Sequence, residues 1–230
     1  AFRLLILLHM ENFLDEIPDE ELRGERVTLR LLHEGDAPAL FSLIDDSREF
    51  LARHLPWPAE CTCVEDVESR IDSWEIQAQM ANGACWGIFA KDAGSSQSAG
   101  SLRPADGSVP ASSQQHASSQ QHASDLQLAG VIILGWIQAA HLSASVSYWL
   151  GECFTGRGLA TDALKILSHF AFNRLGLNRL EISASVTNKA SQAVATRAGY
   201  TQEGFSREFE RINGKFEDHV RFSRLARDPQ

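Results

Sequence analysis

Between Ser143 and Leu175 the hydrophobic period changes from two to 3.6 across one short turn, and nothing else in the chain constrains its fold as strongly. Ala144, Val146, Tyr148 and Leu150 alternate with Ser143, Ser145, Ser147 and Trp149, the repeat of a half-buried strand. Apolar residues then recur at Ala160, Ala163, Leu164, Leu167, Phe170, Ala171 and Leu175, the spacing of an amphipathic helix. The join, Phe154-Thr155-Gly156-Arg157-Gly158-Leu159-Ala160-Thr161, is glycine-spaced. Strand, tight turn and helix start in this order aim unpaired backbone N–H groups, and the positive end of a helix dipole, at one point. That is an anion site, most often for phosphate.

Two nucleotide loops fail the test. A P-loop requires Gly-Lys-Ser/Thr, which occurs nowhere in the chain. A dinucleotide fingerprint requires Gly-x-Gly-x-x-Gly early in the sequence, whereas here Thr161 takes the third position and the loop lies late. The spacing that remains is Gln/Arg-x-x-Gly-x-Gly/Ala, with Gly156 inside the spacer and Gly158 and Ala160 in the last two fixed positions. It resembles the pyrophosphate loop of the GNAT N-acetyltransferases, with Thr155 where that family usually carries Gln or Arg. Five further segments agree in order over residues 24–227: Leu55-Pro56-Trp57, Ser147-Tyr148-Trp149-Leu150, Asn188-Lys189-Ala190-Ser191, Arg197-Ala198-Gly199-Tyr200 and Asn213-Gly214-Lys215-Phe216-Glu217-Asp218. Together they resemble the RimJ/RimL-type ribosomal-protein N-acetyltransferase branch.

The remaining periodicity predicts an α/β (α+β) fold, a mixed and mostly antiparallel twisted sheet flanked by helices. Strands are expected at 26–32, with Val27, Leu29 and Leu31 on one face, and at 86–90, 128–138 and 179–186. A helix capped by Asp36 carries Leu40, Phe41 and Ile44, and a second carries Val64, Val67, Ile71, Trp74 and Ile76. A third, over 190–198, ends at Gly199, and strands 205–210 and 216–225 form a hairpin turning at Asn213-Gly214. The resemblance implies that the fourth and fifth strands, 143–150 and 179–186, run parallel and splay apart to admit the cofactor.

Residues 24–227 read as one domain with an N-terminal extension over 1–23, in which residues 1–9 precede Met10 and read as an upstream start or a short docked helix. Residues 93–125 form a low-complexity insertion in which Ser112 to Ala117 repeats as Ser118 to Ala123. So polar a segment cannot offset its ordering entropy and is expected to be disordered, with His116 and His122 solvated rather than ligating a metal. Cys61, Cys63, Cys85 and Cys153 lack zinc-site spacing and read as free thiols of a cytoplasmic enzyme. The Phe2 to Leu8 run is too short to span a bilayer, so no membrane is expected. A net charge of −9 excludes a general nucleic-acid binder and suits a cationic acceptor.

The resemblance implies acetyl-CoA as cosubstrate and an amine, either a protein N-terminus or a small molecule, as acceptor. It implies direct attack in a ternary complex, by a monomer or homodimer. Coenzyme A is an anion, so the loop residues Thr155, Gly156, Arg157, Gly158, Leu159, Ala160 and Thr161 must supply positive potential that the acidic chain lacks. A backbone N–H within Tyr148, Trp149 and Leu150 would polarise the thioester carbonyl. Glu210 stands where RimL-type enzymes carry a catalytic glutamate, with Glu208 expected on the same face. Ser191 is the candidate proton donor to the departing thiolate, with helix capping beside Asn188 as its alternative role. Asn188 would hold the pantetheine arm, cap the helix, or do both. Trp57 would wall the acceptor pocket or serve only as packing, and Tyr200 reads as core. A non-catalytic acyl-CoA-binding sensor is the alternative class. An N-terminal α-amine, with a reference pKa of about 7.7–8.0 against about 10.4 for lysine, needs only a weak base at neutral pH.

Overall fold

A computed structural model describes residues 17–91 and 126–229; the 93–125 insertion and residues 1–16 of the extension lie outside the described residues. The strands are β1 (Leu22–Arg23), β2 (Val27–Leu31), β3 (Gly83–Lys91), β4 (Leu126–Gln138), β5 (Ser143–Leu150), β6 (Arg179–Ser185), β7 (Thr201–Ile212) and β8 (Lys215–Leu225). The α-helices are α1 (Ala37–Asp46), α2 (Arg48–Leu51), α3 (Val64–Gln79), α4 (Leu159–Asn173) and α5 (Lys189–Arg197). All eight strands join one sheet in the order β1-β2-β3-β4-β5-β6-β8-β7. Leu22 and Arg23, which the sequence reading assigned to the extension, pair with Leu29 and Thr28 and lengthen the sheet by one strand.

Neighbouring side chains on β3 show that both faces are covered. The Trp86 ring meets Phe170 of α4 edge-on at 5.9 Å. Cys85, next along the strand, borders a small hollow with Trp74 and Ala78 of α3. Period-two alternation sends these residues to opposite faces, which is why β3 is buried through Gly83–Ala90 although its sequence is not strictly alternating. The apolar repeat of α4 is entirely buried, with Ala163, Leu164, Leu167 and Ala171 fully excluded from solvent.

Every strand pair is antiparallel except β5 with β6. Those two run parallel and pair only through Ser143, Ala144 and Ser145 against Arg179, Leu180 and Glu181. Beyond that point they part, and a gap opens toward the carboxyl ends of both strands. In sheets with parallel strands this is where backbone groups are left free to meet a ligand. The expected splay is therefore present between 143–150 and 179–185.

Several local expectations differ. Asp36 does not cap α1; its carboxylate takes two hydrogen bonds from Arg30, at 2.8 and 3.0 Å, and one from the His33 amide at 2.9 Å. The arginine fork outcompetes the helix amides because it offers two charge-assisted bonds. Leu31 is only half-buried, and Ile76 is 55% exposed because α3 turns that position outward. On β5 the alternation changes at its end: Tyr148 and Leu150 are half-buried, while Trp149 is buried under the Trp57 ring. The hairpin turn is as expected, with Asn213 and Gly214 at φ of 49° and 78°, the left-handed pair of a type I′ turn.

Candidate active site

The glycine-spaced loop owes its shape to two backbone positions. Gly156 and Gly158 have φ of 73° and 78°, a conformation in which a Cβ is strained. Gly158 is also the N-cap of α4 and contributes no side-chain cap. The hydrogen bonds of the described residues give no acceptor to the amides from Gly156 to Thr161; the first helical bond is Asp162 N to Gly158 O at 3.1 Å. These free donors, backed by the helix dipole, suit a polyphosphate.

The loop is braced from behind by Arg26. Its Nη1 donates to Arg157 O at 3.2 Å, and a Cβ at Gly158 would stand 3.3 Å from that nitrogen. Asp162 Oδ2 accepts from the amides of Arg26 and Val27 at 2.7 and 3.2 Å, fastening the first turn of α4 to β2. No local signal marks Arg26, because its partner is more than a hundred residues away in the chain.

A cavity of about 550 Å³ lies at the end of β5, among the glycine loop, the start of α5 and residues 50–55. Tyr148, Trp149 and Leu150 border it from β5. Thr155, Gly156, Gly158, Leu159, Ala160 and Thr161 border it from the loop and α4. Asn188 and Ser191 border it from the start of α5. Arg157, Trp57 and Glu210 are not among the lining residues. The Arg157 guanidinium lies 5.7 Å from the Phe154 ring, and the cavity's side-chain cations are instead Arg53 and Arg197, beside His54. Arg197 Nε also reaches Thr161 Oγ1 at 3.4 Å, linking α5 to α4 across the cavity mouth. In the sequence Arg197 is legible only as part of a motif, and no local pattern marks Arg53 or His54.

On the cavity wall two hydroxyls meet. Tyr148 Oη donates to Ser191 O at 3.0 Å, and Ser191 Oγ donates to Tyr148 Oη at 3.2 Å. Burial pushes the Tyr148 phenol up to about 12, so it keeps its proton at neutral pH. Asn188 Oδ1 accepts from Ser191 N at 3.0 Å and is the side-chain cap of α5. The capping role therefore falls to Asn188, and the Ser191 hydroxyl is turned to Tyr148 instead. Tyr200 is buried, with its hydroxyl 2.9 Å from Ser168 Oγ.

At the sheet edge, the β7–β8 hairpin reaches toward α2. Asn213 Nδ2 donates to Ala52 O at 2.9 Å, so the hairpin tip is bonded to the segment that leads into Arg53, His54 and Leu55. Glu210 lies on this hairpin, paired across the strands with Glu217, and its side chain is 39% exposed. Partial burial, then the charge of Glu217, pushes the Glu210 carboxyl above its ordinary value. Glu208 does not share its face: a bulge between Ser206 and Glu210 breaks the alternation, and Glu208 has φ of 48° with its amide bonded to Asp218 Oδ1 at 2.8 Å. The Trp57 ring lies tilted against Trp149 at 5.6 Å, with the Arg70 guanidinium 5.0 Å from its ring, so it backs a cavity wall.

Residues 26–201 match the family model described as Acetyltransferase (GNAT) domain, and the chain belongs to that family. It is an acetyl-CoA-dependent N-acetyltransferase. Among named relatives, the Bacillus subtilis (strain 168) protein "Putative ribosomal N-acetyltransferase YdaF" is 30% identical over 206 residues, covering 89% of this chain and 94% of its own. The "Ribosomal-protein-serine acetyltransferase" of Escherichia coli (strain K12) is 24% identical over 202 residues, covering 88% and 94%. The fold is shared with RimL, a ribosomal L7/L12 alpha-N-protein acetyltransferase solved with coenzyme A, at a TM-score of 0.72 and 24% identity over 90% of this chain and 98% of that one. It is shared equally with the microcin C7 self-immunity acetyltransferase MccE, solved with acetyl-CoA and AMP, at a TM-score of 0.72 and 24% identity over 92% and 98%. Among the described residues no helix is long and apolar enough to cross a membrane, and no group of three or more His, Cys, Asp or Glu could hold a metal ion.

Proposed function

We propose that this acetyltransferase modifies the α-amine of a protein N-terminus, by direct attack on acetyl-CoA within a ternary complex. The observation that carries the reading is the cavity itself. Uncapped amides of the 156–161 loop and the Tyr148–Ser191 hydroxyl pair border the same space at the end of β5. The N-terminal acceptor is supported by the names of the relatives, which act on ribosomal proteins.

Acetyl-CoA supplies the activated acetyl group, and the chain's own residues do the rest. The loop amides, with Arg197 and Arg53, hold the pyrophosphate, and Asn188 fixes the start of α5 beside the pantetheine arm. A free amide at the end of β5, within Tyr148–Leu150, polarises the carbonyl. Glu210 takes the proton of the incoming ammonium, directly or through one water; its raised pKa brings it nearer the amine's and makes it a better base than a solvated glutamate. Ser191 gives its proton to the departing sulfur and regains one, directly or through water, from the newly acylated amine nitrogen; its Oγ is held by its bond to the Tyr148 phenol, which stays protonated. Trp57, through Trp149, sets the wall facing the acceptor.

The test is release of free coenzyme A thiol against a panel of N-terminal peptides, lysine peptides and small amines. Turnover confined to peptides with a free α-amine supports the proposal. Turnover of small amines alone overturns the acceptor class, and tight cofactor binding without any turnover returns the chain to a sensor.

A further inference from the structure

The residue that stands out beyond the cavity is His219. It is 4% exposed, yet its Nε2 makes no hydrogen bond among the described residues. A buried ring nitrogen without a partner is costly, so its surroundings call for an explanation. Nδ1 lies 3.0 Å from Ser183 Oγ, and Nε2 lies 3.4 Å from Glu210 Oε2. The ring is packed at 4.8 Å against Phe209, which fixes its plane. If the Ser183 hydroxyl donates to Nδ1, the proton of the neutral ring sits on Nε2 and faces the carboxylate.

The charges around the imidazole favour that neutral form. From its own strand Glu217 and Arg221 face it; from β7, Glu210 and Phe209; from β6, the hydroxyls of Ser183 and Ser185. Glu217 is engaged by Ser185 Oγ and by Thr187 Oγ1, and Arg221 by Glu181 at 2.8 Å. Burial, helped by Arg221, outweighs Glu217 and pushes the ring below its ordinary pKa. A neutral Nε2–H is a donor that does not neutralise the base it addresses.

We infer that His219 is a positioning residue for Glu210: its Nε2–H, set by the Ser183 bond to Nδ1, aims its dipole at Glu210 Oε2 3.4 Å away, short of a formed hydrogen bond, and leaves the other carboxylate oxygen to face the acceptor amine. This rests on Glu210 being the base. The chain of contacts runs through three strands, from Ser183 on β6 to His219 on β8 to Glu210 on β7, so the sheet itself sets the direction of the carboxylate.

The experiment compares His219→Phe, which keeps an aromatic ring, with His219→Gln, which keeps a donor near Nε2. Each is made alone and together with Glu210→Gln. In the His219→Phe protein, kcat should fall about tenfold, with calorimetric acetyl-CoA affinity within about twofold of the parent. His219→Gln should recover most of that loss. The Glu210 carboxyl, titrated by NMR in the free protein, should move to higher pH in His219→Phe, because a donor to the ionised form has gone. On the Glu210→Gln background, His219→Phe should add nothing. An equal loss on both backgrounds, or an unmoved Glu210 titration, would overturn the inference while leaving Glu210 as base. Full activity in Glu210→Gln alone would instead overturn the base assignment, whatever His219 does.

Discussion

The donor side and the acceptor side of this molecule are built in different ways. The proposed donor side is mostly one run of chain, from Tyr148 through the loop to Thr161, joined by Arg53, Asn188 and Arg197, and would work largely through backbone amides. Side-chain identity matters little there, and Thr155 can replace the usual Gln or Arg without removing an amide. The proposed acceptor side would be assembled from Trp57, Ser183, Glu210 and His219, carried by four separate elements, and would work through side chains whose charge depends on burial. A cofactor shared by a family can be met by a shared backbone, while acceptor chemistry is left to residues that can vary singly. The two sides should therefore fail differently when mutated.

The largest effect should come from the acceptor side. Glu210→Gln should lower kcat by about 10²–10⁴-fold, the usual contribution of a positioned base, with acetyl-CoA affinity by calorimetry unchanged. The donor side should fail in binding instead. Gly158→Val places a β-branched residue at φ 78° against Arg26, and strain of about 1–3 kcal/mol should weaken acetyl-CoA binding about 10- to 100-fold while sparing the Glu210 titration. Comparable losses of affinity in both variants would break the division. A smaller effect is expected at the junction. Ser191→Ala should lower kcat by about tenfold, since the Tyr148 phenol remains in place, and a loss as deep as that of Glu210→Gln would show that Tyr148 cannot substitute.

The smallest effects are on stability, and their signs differ between two carboxylates. The folded-state pKa of Glu210 is raised, so the native state binds its proton more tightly and the ionised form costs stability above that pKa. Glu210→Gln should accordingly raise the melting temperature at neutral pH, a gain that disappears as pH falls below the ordinary carboxylate range. Asp36 is the reverse case. Burial opposes its ionisation, but the bonds from Arg30 and His33 outweigh it and hold the folded pKa low. Its stabilisation is present above the unfolded pKa and is lost as pH falls through the folded one. Asp36→Ala should cost about 1 kcal/mol at neutral pH, by chemical denaturation, and less in acid.

Much of the donor side could be read directly. The change of period at the loop, the two glycines and the free helix start are local features, and each is encoded within a few residues of where it acts. The Asn213-Gly214 turn is legible for the same reason, since only residues tolerant of positive φ suit it. Local pattern misled where a stronger partner competed or a strand bulged. Asp36 has the spacing of a helix cap, but Arg30 offers a stronger bond. Glu208 and Glu210 look like neighbours on one face until a bulge separates them.

What the sequence determined by itself was the family of the cofactor site and the order of elements around it, because backbone geometry follows from nearby residue types. The tertiary structure alone decided the electrostatics. Arg53 and Arg197, rather than Arg157, turn to the cavity; Arg26 braces the loop from β2; and His219, silent in the sequence, becomes the buried neighbour of Glu210. Charge and burial are properties of the space around a group, and that space is filled by residues that meet only when the sheet forms.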